Sequence, residues 1–259
     1  MFNKLIVWIG LFVAASTSAL QASDQKDKEP LIVGMTTGYA PYISLSPSGE
    51  YEGFDIDFAR LLSKRLDKEI VFQDFGSMPS LMLALKQGKA DMLIWAISIT
   101  KERMEKLEMV YYQGKTVDTA PFVFWKSIPQ GITSIADLEN IPNNIICVEA
   151  GSSQEDILKV FPKLSLKNVD KVADVIMDLK YGKCLSTTID PGLIAGYVKK
   201  YPELKVIYLP IPESVKLFGN GIAINKQNQE LALEVRAAVT ELIKEGKVAE
   251  LEKKWNLDQ

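Results

Sequence analysis

Apolar positions along this chain switch between two periods. LIVGMTT (31–37) is a continuous apolar run of strand length, and GFDIDFARLLSKRLD after it repeats Phe58, Leu61, Leu62 and Leu66 on one helical face, with Asp55 as the expected N-cap. EIVFQDF (69–75) is a second strand, PSLMLALKQGK (79–89) a second helix ending at Gly88, and ADMLIWAI (90–97) a third strand. Strands separated by helices of this length predict a parallel sheet with right-handed crossovers.

The rhythm then breaks. VYYQGKTVDTAPFVFWKS (110–127) is long, extended and without a helical period, as expected where a chain leaves one domain and enters another. Alternation resumes with SIADLEN as helix, NNIICVEA as strand, SSQEDILKVF as helix, KNVDKVADVIMDLKYGK as helix, CLSTTID as strand, PGLIAGYVKKYP as helix and LKVIYLPI as strand. PESVKLFGNGIAI (212–224) reads as the return crossing, and the tail from QELALEVRAAV is helical, broken at Gly246. The expected architecture is α/β: lobe 1 from residues 30–115 and 215–259, lobe 2 from residues 116–214, and a two-stranded hinge between them. Such lobes close on a ligand, which in open α/β sheets sits beyond the carboxyl ends of the strands.

Residues 1–22 change the picture of where the chain works. Lys4 and the short apolar run Leu5 to Ala15, followed by small residues at Ala19 and Ala22, have the form of a cleavable secretory signal, too short for a membrane span. Residues 23–29 are a polar tether, and no cysteine near the cleavage region suggests a lipid anchor. Removing Lys4 takes the formal charge from −3 to −4, and no basic stripe offers a nucleic-acid surface. Export permits a disulfide between Cys147 and Cys184 if their strands are neighbours; two buried small hydrophobes is the equal alternative. Histidine is absent, which removes Ser-His-Asp and Cys-His nucleophiles and His-based zinc sites.

Three segments carry candidate chemistry. In ISITKER, Thr100 is the expected N-cap of a helix whose third residue is Arg103, where a capping box would have an acid. A guanidinium beside unpaired helix N–H groups is either a strong anion site, helped by Ser98, or a solvated surface charge. CVEAGSSQED places a second helix start, capped by Ser152 or Ser153, after a strand in the other lobe. In STTIDPG, Asp190 suits an N-cap with Pro191 at the first helical position, and its carboxylate also suits an ammonium. Arg103 for a carboxylate and Asp190 for an ammonium describe an amino acid.

TTGYAPY, EGFDIDFARLLSKRL, LKQGKADMLIWAISITKER, YYQG, EAGSSQED and the ending ELIKEGKVAELEKKW together resemble the extracytoplasmic solute-binding proteins for polar amino acids, bacterial family 3, which serve ATP-binding-cassette importers. Chlamydial-type arginine binders are among the nearer resemblances. The likeness covers nearly all the chain after residue 30 and implies the type II periplasmic-binding-protein fold, two sheets flanked by helices and joined by two strands. It implies that Arg103 holds the ligand α-carboxylate with Ser98, Ser153 and the neighbouring Ser152, and that Asp190 takes the α-ammonium with the Ala96 carbonyl. Tyr39 would pack on the ligand side chain, and Thr36, Met78, Trp95 and Glu149 would line its pocket.

This chain departs from the basic-amino-acid binders at three of these positions. Thr36 stands where an acid or amide is common, Met78 where an aromatic is, and Trp95 where the residue is usually small. Glu149 would supply the missing acid and Trp95 a stacking wall, which favours a cationic ligand, arginine first. The resemblance implies no cofactor, no metal, a monomer in the periplasm and a separate permease. The alternatives are a neutral ligand such as glutamine, or a periplasmic cyclohexadienyl or arogenate dehydratase with Glu149 as general acid; a sensor subunit is a third role for the same fold.

Overall fold

The computed structural model describes residues 29–258, so the secretory signal and most of the tether lie outside the described residues. The first sheet is assembled from β1 (Leu31–Met35), β4 (Ile70–Asp74), β5 (Met92–Leu93), β6 (Leu107–Val117) and β12 (Leu217–Asn225), in the order β4-β1-β5-β12-β6. A small hairpin, β2 (Ser44–Leu45) with β3 (Tyr51–Glu52), sits beside it. The second sheet takes β7 (Thr119–Trp125), β8 (Ile145–Glu149), β9 (Ser165–Val169), β10 (Ser186–Thr188) and β11 (Leu204–Pro210), in the order β11-β7-β10-β8-β9. The inner strands pair in parallel, as the alternation predicts, while β6, β7, β11 and β12 run antiparallel to their neighbours. The antiparallel strands are the ones that carry the chain across: β6 runs into β7 at Asp118, and β11 returns through a 3-10 turn to β12. The two crossings touch, with the Ile211 N–H donating to the Asp118 carbonyl at 2.9 Å.

Helices α1 (Phe54–Leu66), α2 (Met78–Lys86), α3 (Lys101–Lys106), α8 (Gln229–Lys244) and α9 (Lys247–Lys254) cover the first sheet. Phe54, Phe58 and Leu62 of α1 are fully buried, and Phe58 stacks on Tyr112 of β6 at 4.7 Å between ring centres. Burying side chains of this size contributes roughly 1.5–3 kcal/mol each. Helices α4 (Ile135–Leu138), α5 (Ser153–Lys159), α6 (Val172–Lys180) and α7 (Pro191–Lys200) belong to the second sheet. Its strands alternate faces: Phe122, Phe124, Ile146 and Val148 pack with Ile157 and Leu158 of α5, while Val123 and Cys147 face the side of Val175 and Ile176 of α6. Cys147 and Cys184 form a disulfide on that side, because β8 and β10 are parallel neighbours. Among the described residues, no helix is long and apolar enough to cross a membrane.

Three local expectations are corrected. Asp55 does not cap α1. The N-cap is Gly53, and the first N–H groups of the helix donate to the Pro41 and Tyr42 carbonyls at 3.0 and 3.1 Å. Gly53 is required there, since a Cβ would lie 2.0 Å from the Tyr42 oxygen. The strand expected over 90–97 keeps its ladder only at Met92–Leu93. It breaks at Ala96, which adopts a left-handed φ of 43°, and rejoins the sheet where Ile99 and Gly221 donate to the Gly219 and Ile97 carbonyls. The segment from Lys167 is not helical throughout: Ser165–Val169 is β9, and the helix starts at Val172. SLKNV alone carries little strand pattern, and its pairing with Ile145–Glu149 decides it.

Candidate functional site

Strand ends from both sheets converge on one cleft. On the first-sheet side, Thr100 caps α3 by accepting the Arg103 N–H at 3.1 Å, as expected. The Arg103 guanidinium is not solvated. It is buried, with Nη1 donating to the Ser98 carbonyl at 2.9 Å and Nη2 to the Gly151 carbonyl of the second-sheet side at 3.1 Å. Burial pulls its pKa down, while the charges of Asp156, Glu102 and Glu149 oppose that shift. A cation in the first turn of this helix is therefore tolerable, because carbonyls and nearby acids surround its head.

On the facing side, β8 ends at Glu149, Gly151 turns with φ 72°, and Ser152 caps α5 by accepting the Glu155 N–H at 3.1 Å. Glu155 returns a carboxylate oxygen to the Gly151 N–H at 2.6 Å. Ser153 Oγ crosses the cleft to Ser98 Oγ at 3.1 Å. Asp190 caps α7, accepting the Gly192 N–H at 2.7 Å.

Between these walls lies a cavity of about 10 Å³ lined by Tyr39, Met78, Trp95, Ala96, Ser98, Arg103, Glu149, Ser152, Ser153 and Gln154. Of the residues expected at a ligand site, all but Thr36 and Asp190 line it. Thr36 directly follows β1 and is buried, with its hydroxyl unpartnered; Asp190 is buried as well, its charge acting on Tyr39 and Glu149. The volume holds about one water, so an amino acid needs the two sides to part or the side chains to move. Trp95 stacks on Tyr39 at 4.9 Å in a tilted pair, and its buried Nε1 has no partner. A larger surface hollow of about 290 Å³ runs past Arg65, Lys68, Glu234 and Glu241 on the outer face. Its walls are ion pairs, Arg65–Glu241 at 2.6 Å and Lys68–Glu234 at 2.7 Å, and it shares no lining residue with the cleft.

The electrostatics of the cleft are lopsided. Burial, then the Asp190 charge, pushes the Glu149 carboxyl up to about 8, against the pull of Arg103. Burial raises Asp190 to about 6, against the Gly192 N–H bond. Neither forms an ion pair with another described side chain. The arrangement suits a ligand that brings both a carboxylate and positive charge.

Two features escape a reading of the sequence. Gln154 lines the cavity and is buried, although its position in a polar first turn looks solvated. Asp55, from α1, accepts the Ala96 N–H at 2.7 Å and the Tyr112 hydroxyl at 2.6 Å. That buried carboxylate, raised to about 7 by burial against its two hydrogen bonds, holds the left-handed turn that shapes the first wall. In the sequence Asp55 is one of two acids, with Asp57, in the first turn of the helix, and nothing along the chain marks it as the buried one.

Residues 31–258 match the profile of the bacterial extracellular solute-binding proteins, family 3. The chain belongs to this family. It is 31% identical to the probable ABC transporter arginine-binding protein of Chlamydia trachomatis over 244 residues, which spans 93% of this chain and 91% of that one. It is 28% identical to the arginine-binding extracellular protein of Bacillus subtilis, covering 96% and 97% of the two chains. An ancestral arginine-binding protein bound to arginine superposes with a TM-score of 0.77 at 26% identity, over 88% of this chain and 99% of that one. The two-lobed fold expected of the family is the one observed. These relatives are named as amino-acid-binding proteins, and the chain is an extracellular solute-binding protein of the same family.

Proposed function

We propose that this protein captures a cationic amino acid, arginine, between its two lobes in the periplasm and delivers it to a separate permease of the ATP-binding-cassette type. The observation that carries the reading is the pairing of one buried guanidinium, Arg103, with two buried carboxylates that lack a cation, Glu149 and Asp190. Arg103 takes the α-carboxylate, with Ser98, Ser152 and Ser153 beside it. Asp190 and the Ala96 carbonyl take the α-ammonium. Glu149 pairs with the distal guanidinium, which stacks against Trp95 and Tyr39, while Met78 completes the pocket wall and Thr36, outside the closed cavity, joins it when the two sides part. The arginine ligand of the Chlamydia and Bacillus relatives supports this assignment.

We place lobe 1 at residues 30–115 and 215–259 and lobe 2 at 116–214; the division of strands between the two sheets supports this, with β6 running two residues past the first boundary to Val117. Residues 1–22 act as a cleaved export signal, and the mature protein works as a monomer. Micromolar affinity, near −8 kcal/mol, is within the efficiency ceiling for a ligand of this size.

Thermal unfolding against the twenty common amino acids, ornithine and arogenate tests the reading. A ligand at 100 times its dissociation constant stabilises by about 2.7 kcal/mol, or roughly 5–10 °C in midpoint for a protein of this size. The expected result is a shift with arginine and with ornithine or lysine. A shift with glutamine instead would remove the cationic pocket and keep the Arg103–Asp190 clamp. A response to arogenate alone would turn attention to Glu149 as an acid.

A further inference from the structure

The two lobes meet outside the cavity at a second contact that the binding function does not use. Tyr42, between β1 and β2, lays its phenol on Gly192 in the first turn of α7. A Cβ built on Gly192 would stand 2.6 Å from Tyr42 Oη, 2.8 Å from Cε2 and 3.0 Å from Cζ. The ring is not a loose surface tip that can swing aside. It is buried, with Tyr39 and Phe54 each 6.1 Å away between ring centres, the latter edge-on. Its backbone is pinned as well, since the Tyr42 carbonyl accepts the Asp55 N–H at 3.1 Å and passes too close to residue 53 for any side chain there. On the other side, Gly192 is held by its N–H bond to Asp190.

We propose that Tyr42 seated on Gly192 is a closure contact, made only when the lobes come together, which sets how firmly the cleft shuts and how long the ligand stays without touching the ligand. The contact joins first-sheet and second-sheet elements, so any separation of the lobes must break it. Tyr42 does not line the cavity. Gly192 is helical with no positive φ to satisfy, so local backbone conformation does not demand glycine there; the room taken by the phenol does. The apparent affinity of a binding protein scales with the fraction of the closed state it can reach, so a side chain at 192 weakens binding by wedging the lobes apart.

The test is Gly192→Ala. Its ligand arm rests on the arginine-binding function proposed above. Arginine is titrated calorimetrically, its dissociation is followed by stopped flow, and the radius of gyration is measured by solution scattering with and without arginine. The expected result is an affinity lower by about tenfold or more, appearing in the off-rate, with an arginine-saturated radius larger than wild type. The melting midpoint of the unliganded variant should be unchanged or higher, because alanine is the better helix former. Adding Tyr42→Phe, which removes the nearest atom, should restore part of the affinity. Unchanged affinity and radius would overturn the proposal. So would a lower unliganded midpoint with no change in off-rate, which would make the contact ordinary packing within the fold. If wild type takes no arginine, the proposed function fails by itself; the closure contact is then judged on the unliganded protein, where Gly192→Ala must enlarge the radius and equal radii sink it.

Discussion

The segments after β5 and after β8 are built to one plan and end with opposite chemistry. Each leaves a strand, turns through a left-handed residue and enters a helix under a hydroxyl cap, Thr100 in one and Ser152 in the other. The β8 segment turns at Gly151, where glycine has no steric penalty, and its cap is closed by its own neighbour Glu155. The β5 segment turns at Ala96, where a left-handed φ costs roughly 1–2 kcal/mol, and it holds that shape through Asp55, 41 residues earlier. The first wall therefore depends on distant parts of the fold and carries the buried cation, Arg103. The second is locally specified and carries the buried acid, Glu149. A local turn is self-sufficient where a glycine is present; without one, tertiary contacts must supply the strain energy.

The sharpest way to break this contrast is Arg103→Ala. It removes the cleft's cation and leaves the Ser98 and Gly151 carbonyls without their donor. Arginine affinity measured by calorimetry should fall at least about a hundredfold, the range for truncating one partner of a buried charged pair. Retained affinity would end the carboxylate role.

Glu149→Gln tests the opposite wall. Arginine affinity should fall by roughly ten- to a hundredfold, about 1.4–2.8 kcal/mol, and glutamine affinity should be little changed. The substitution also carries a pH signature. The folded protein keeps the Glu149 proton up to about 8, while the unfolded chain releases it near 4.5. The native state thus binds more protons between those values, and unliganded stability falls as pH rises through the window. Asp190, at about 6, and Asp55, at about 7, add the same sign lower down. Between pH 7 and 8 Glu149 dominates, and wild type should lose about 1 kcal/mol per pH unit by denaturant titration. Arginine, which needs the ionised carboxylate, should bind more tightly over the same interval. Glu149→Gln should flatten both slopes; slopes that survive it would place the titrating group elsewhere.

The smallest effects separate the two caps. Thr100→Ala and Ser152→Ala should each cost about 1 kcal/mol of stability. Thr100→Ala should weaken arginine binding more than Ser152→Ala, because α3 carries Arg103 in its first turn. Equal effects on binding would remove the difference between the two segments.

Much of this was legible along the chain, and the reason is local. The caps at Thr100, Ser152 and Asp190 are set by side chains two or three residues from the N–H groups they bond. The alternation of strand and helix follows from apolar periodicity, and both lobes could be read from it. β9 was not legible, because SLKNV becomes a strand only beside β8. Nor was the fate of Asp55, which looks like a cap in its own helix and bonds instead to Ala96 and Tyr112.

The sequence by itself determined the family, the two α/β lobes, the helix starts that face the cleft and most of the side chains that line it, since these depend on periodicity and short-range hydrogen bonding. Only the tertiary structure decided that Cys147 meets Cys184, that Gln154 is buried, that Asp190 does not line the closed cavity and that Tyr42 rests on Gly192. Each of those facts joins residues from separate elements, and no spacing along one chain encodes the distance between two packed surfaces.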